Sequence, residues 1–102
     1  MNKTNVSFIF ISICLLLLVS KTFAADVDEG RRTATQCAVC HGIYGEGNGA
    51  PKSCIACLDE DKFKKHITDF KSGARKNVMM ERFVKYLTDQ DIENLVAYYS
   101  TK

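Results

Sequence analysis

The sequence predicts a small all-α domain, and three observations predict it. Apolar residues recur at helical spacing in two segments, Phe63/Ile67/Phe70 and Ile92/Leu95/Val96/Tyr99. No run reads as a convincing strand. The chain's one proline gathers with four glycines and an asparagine in "HGIYGEGNGAP", which reads as a loop.

The first segment is set apart from this domain. Lys3 gives a short positive start, and Val6 to Val19 is apolar except for Ser7 and Ser12. Thr22 and Ala24 stand at −3 and −1 of a cleavage position after Ala24. This is the layout of a secretory signal peptide over residues 1–24, and the apolar run is shorter than the roughly 20 residues of a membrane span. Cys14 would leave with it. One domain is then expected over 25–102, exported to the periplasm, with no membrane span once the leader is gone. Loss of Lys3 and Lys21 cancels the formal net charge of +2. No basic stripe is left to hold nucleic acid, and none is expected as a partner. A domain this small buries little surface, so a disulfide, metal or cofactor is expected to complete it.

The elements follow in order. Asp26 or Asp28 caps a first helix running into Cys37, with Val27, Ala34 and Ala38 as its inner face. The glycine-rich loop comes next. A second helix spans Asp59 to Phe70, with Gly73 just beyond it as a stop. A loop over Arg75 to Val78 leads to a short helix through Phe83 and Val84. Thr88 followed by Asp91 reads as the capping box of a last helix whose apolar face is Ile92, Leu95, Val96 and Tyr99.

Four cysteines lie between Cys37 and Cys57 as C-x2-C-x13-C-x2-C. Tetrahedral zinc can use such a set as two thiolate knuckles, which makes a four-cysteine zinc module one reading. Export to an oxidising compartment opposes it, and it leaves His41 and the Met79–Met80 pair idle. A thioredoxin-like couple needs a βαβ setting that is missing. Cys37-x-x-Cys40-His41 is also the attachment signature of c-type haem. Two thiols and an imidazole must be adjacent there, because one helical turn presents all three to one edge of the porphyrin. The pair Cys54/Cys57 lacks this signature, since Leu58 follows it.

At this point the sequence resembles a family. "CAVCHGIYGEGNGAP", "FKSGAR" and "MMERFVKYLTDQDIENLVAYYS" are similar to the attachment motif, the "f..G.R" segment and the C-terminal helix of class I bacterial cytochromes c. The resemblance covers nearly all of 25–102. It is similar to small c4/c553 proteins and to the cytochrome subunit of flavocytochrome c sulfide dehydrogenase. It implies one covalent haem c wrapped by three or four helices, the first and last crossing at Gly30. It implies Cys37 and Cys40 as attachment points and His41 and a methionine as iron ligands. Met80 lies seven residues before Leu87, the spacing that resembles the family's; Met79 is the neighbouring candidate, and His66 is a rival ligand. The resemblance gives Pro51 a carbonyl that accepts a hydrogen bond from His41, and places Arg75 near the haem propionates. Tyr44 is expected at the haem edge, and Phe63, Phe70, Phe83 and Tyr99 in the core and haem wall. Cys54 and Cys57 depart from the family pattern, and the readings for them are a mutual disulfide or a redox-active or partner-linking pair near the haem edge.

The function expected is electron transfer by Fe(III)/Fe(II) cycling, with no catalytic residues and no substrate site on the iron. Partners would be redox proteins, such as a flavoprotein dehydrogenase or a terminal oxidase. The alternative is an electron-accepting subunit of a dehydrogenase such as flavocytochrome c sulfide dehydrogenase. A ligand-binding haem protein without the methionine is a further reading.

Overall fold

A computed structural model describes residues 24–102, and the predicted leader's apolar run falls outside them. Four helices occur among the described residues, joined by loops, with no strand: α1 (Val27–His41), α2 (Glu60–Ser72), α3 (Val78–Val84) and α4 (Asp89–Ser100). None is long and apolar enough to cross a membrane.

Each helix starts where a side chain can satisfy free backbone N–H groups. The Asp26 carboxylate accepts from the N–H groups of Asp28 and Glu29 at 2.9 and 3.1 Å. Asp59 accepts from Lys62 N–H at 2.8 Å, a bond that holds its carboxyl below the ordinary range. Asn77 accepts from Met80 N–H at 3.0 Å. Thr88 and Asp91 form the predicted reciprocal box, at 3.1 and 2.8 Å. Helix α2 stops at Gly73, whose φ of 82° is the left-handed conformation glycine adopts without strain. Helix α1 continues past Cys37 through His41, so the whole attachment signature is helical.

The core is Ala34 of α1, Phe63 and Ile67 of α2, Val84 of α3, Leu87, and Ile92, Leu95, Val96, Tyr98 and Tyr99 of α4. Val27 is not on the inner face as expected; it is exposed, and Gly30 takes the buried place one turn on. There α1 meets α4 backbone to backbone. A Cβ at Gly30 would overlap the carbonyl of Asn94 and lie 2.9 Å from Cβ of Tyr98. The buried Asn94 completes the crossing: its side-chain oxygen accepts from Asp26 N–H at 2.8 Å and from Gln90 Nε2 at 2.9 Å. Tyr98 then reaches out of α4 and donates to the Ile43 carbonyl at 3.1 Å, tying the glycine-rich loop to the last helix.

Candidate functional site

Helices α1, α2 and α3, with the loop after α1, enclose a cleft of about 720 Å³. That lies within the range of about 300–1,000 Å³ usual for small-molecule and cofactor sites. Cys37, Cys40 and His41 enter it from the end of α1. Phe63, His66, Ile67 and Phe70 line it from α2. Met79, Met80, Phe83 and Val84 line it from α3. Arg75, Lys76 and Asn77 close it from the loop before α3, and Ala50 to Ile55 from the loop after α1.

 Leu87 and Leu95 complete its apolar wall. No Asp or Glu is among its lining residues within the described part of the chain.

The end of α1 sets the chemistry. Cys37 and Cys40 are free thiols, the first half-buried and the second exposed. Burial pushes the Cys37 thiol up, and it lies against the Tyr99 hydroxyl. That hydroxyl is itself buried without a hydrogen bond of normal geometry, and burial raises its pKa too. The His41 ring is fixed by a bond of 2.7 Å between Nδ1 and the Ser53 carbonyl oxygen. A carbonyl only accepts, so Nδ1 carries the proton and Nε2 keeps a free lone pair.

This corrects the expectation for Pro51. Pro51 lines the cleft but is exposed, and its carbonyl is not the partner of His41. The chain turns between Ala50 and Ser53: Lys52 adopts φ 64°, and Ser53 N–H donates to the Ala50 carbonyl at 3.1 Å. The turn carries Ser53, buried, to the imidazole instead. Ser53 went unread in the sequence because a backbone acceptor leaves no signature in residue type.

The two methionines separate by environment. Met80 is half-buried and packs on the core, whereas Met79 is 51% exposed; both line the cleft. His66 also lines it, and burial followed by the charge of Arg75 lowers its pKa, which favours the neutral imidazole. The Arg75 guanidinium lies 5.0 Å from the centre of the Phe70 ring. Phe63 and Tyr99 are core as expected, with ring centres 5.4 Å apart. Phe83 is 37% exposed at the cleft rather than in the core. Tyr44 is 58% exposed and does not line the cleft; Lys102 Nζ lies 5.6 Å from its ring centre.

Cys54 and Cys57 form a disulfide with each other. They are therefore unavailable as a pair of thiolates, which removes the four-cysteine zinc knuckle. No group of three or more His, Cys, Asp or Glu side chains that could hold a metal ion occurs among the described residues. The donor set that is present suits a haem: two free thiols and an imidazole at i, i+3 and i+4 of one helix, thioethers on another, and a largely apolar wall between them.

Comparison with known proteins agrees with this chemistry. A family described as "Cytochrome C oxidase, cbb3-type, subunit III" matches residues 25–98. Cytochrome c-553 of Helicobacter pylori is 35% identical over 94 residues, covering 91% of this chain and 95% of that protein. Cytochrome c4 of Stutzerimonas stutzeri is 28% identical over the full length of this chain, which spans 51% of it. A thiosulfate dehydrogenase electron acceptor from the same species is 32% identical, over 83% of this chain and 43% of that protein. By its sequence match, its helical fold and its cleft, this chain belongs to the cytochrome c family as a small class I c-type cytochrome, with a covalently attached haem c as its cofactor.

Proposed function

We propose that this protein is a one-haem electron carrier of the periplasm, with the haem held by Cys37 and Cys40 and its iron by His41 and Met80. The observation that carries the reading is the convergence of these four side chains on one apolar cleft, together with a tautomer that leaves His41 Nε2 free. The bound haem supplies one-electron Fe(III)/Fe(II) chemistry. The thiols of Cys37 and Cys40 anchor it covalently. His41 gives a nitrogen ligand and Met80 a soft thioether, a pair that raises the reduction potential relative to two nitrogens. With His41 and Met80 both serving as its ligands, the iron would have no position for a substrate, so the protein would carry electrons rather than act as an enzyme. Phe63, Ile67, Leu87 and Leu95 keep water from the cleft, and Arg75 supplies positive charge for the haem carboxylates.

Export rests on the signal-like layout of residues 1–24 and on the Cys54–Cys57 disulfide, a bond that persists in oxidising compartments. The partners are redox proteins. A second reading, the electron-accepting subunit of a dehydrogenase, is favoured by the relative named as a thiosulfate dehydrogenase electron acceptor. In that reading the donor is an enzyme oxidising a sulfur compound, with flavocytochrome c sulfide dehydrogenase as the flavin-containing alternative.

Exposure of the ferrous protein to carbon monoxide tests the carrier reading. Two protein ligands on the iron predict an unchanged reduced spectrum at neutral pH. A carbon monoxide complex formed by the native protein would instead mean an open position and a ligand-binding or catalytic haem. Co-purification from the native host, with a bound dehydrogenase or without one, separates subunit from free carrier.

A further inference from the structure

The disulfide stands directly beside the group that fixes His41. Cys54 follows Ser53, whose carbonyl oxygen holds the imidazole Nδ1 at 2.7 Å. On its N-terminal side Ser53 is well held. Its Oγ donates to the Ala50 carbonyl at 2.6 Å and accepts from Asn48 N–H at 3.2 Å, and its N–H also donates to Ala50. On its C-terminal side there is no helix until α2 begins at Glu60. What holds that side is the turn closed by Cys54 and Cys57, whose Cα atoms are 5.4 Å apart. Within it Ala56 N–H donates to the Gly45 carbonyl at 2.9 Å, which returns the chain to the loop leaving His41.

We propose that Cys54 and Cys57 are positioning residues for His41: their disulfide fixes the Ser53 carbonyl against the imidazole N–H and so sets the basicity of that ligand. The inference rests on the axial role of His41 proposed above. A carbonyl that accepts from Nδ1–H makes Nε2 a stronger donor, which favours ferric iron. Opening the disulfide frees the chain just after Ser53. The carbonyl then spends less time on the imidazole, Nε2 donates less strongly, and the reduction potential rises. The closed loop is short, so its contribution to global stability lies at the low end for disulfides.

The test compares the native holoprotein with Cys54→Ser/Cys57→Ser, by intact mass, redox titration and exchange of the His41 Nδ1 proton in the ferrous state. The expected result is one covalent haem in both, with a higher potential and faster proton exchange in the variant. Ser53→Ala keeps the carbonyl but loses both Oγ bonds, and should shift both readouts in the same direction. Combining the changes should give less than the sum of the separate shifts, because both act through one carbonyl. Unchanged potential and exchange in the double-serine variant would overturn the proposal and leave the disulfide as a local staple. If that variant fails to retain haem, reduction of the disulfide in assembled native protein, with thiol quantification, decides by the same proton exchange. Failure of the axial role itself would be visible earlier, as a native protein without a low-spin spectrum.

Discussion

Met79 and Met80 are the same residue type in adjacent positions, and their surroundings distinguish them. Met80 packs on the core while Met79 is half exposed, so Met80 loses less freedom on becoming a ligand. Met80→Ala is expected to abolish the long-wavelength ferric absorption of a methionine ligand and to lower the reduction potential, whereas Met79→Ala should retain both; redox titration with visible spectroscopy checks this. Asn94 gives a second test at this scale. Replacement by Leu removes the acceptor of the Asp26 N–H, which should cost about 0.5–1.5 kcal/mol in denaturant unfolding of the holoprotein. Cys37, Cys40, His41 and Met80 stand out in the sequence as the proposed haem-holding residues because their side-chain chemistry is rare and their spacing informative, and all four line the cleft. Ser53, Asn94 and Tyr98 act through hydrogen bonds that depend on distant backbone, and no local pattern announces them. Pro51 was misplaced for the same reason: a loop's residue types do not say which carbonyl it turns inward.

The helices themselves were largely legible, because their caps and apolar faces are local. Thr88 and Asp91 mark the start of α4 in sequence and in structure. Thr88→Ala should cost about 1 kcal/mol, as loss of an N-cap usually does, read as a lower denaturation midpoint with an unchanged spectrum. The start of α3 at Asn77 and the extension of α1 to His41 were less visible, since Cys, His and a short seven-residue helix carry weak helical signals. The crossing of α1 and α4 depends on close approach. Gly30→Ala would force the helices apart at Asn94, at a cost of about 1–3 kcal/mol or more from overpacking. A stability unchanged by Gly30→Ala would mean that the helices do not meet there.

At the scale of the molecule, the protein and its cofactor complete each other. Phe63, Ile67, Val84, Leu87 and Leu95 belong to the core and also line the cleft, so a large part of the small core faces the site proposed for the haem. Chain prepared without haem attachment should therefore be largely unfolded, with little helical circular dichroism and no cooperative melt. Cys37→Ser or Cys40→Ser should weaken covalent retention of the haem, seen by intact mass after denaturation. The central claim is that one chain supplies both axial ligands, His41 and Met80. Proton NMR of the ferrous holoprotein tests it most directly, because a methyl group held over a porphyrin face is strongly shielded by the ring current. The account predicts one methionine methyl signal far upfield, lost in Met80→Ala and kept in Met79→Ala. A spectrum with no such signal, or one that disappears with Met79 instead, would contradict it.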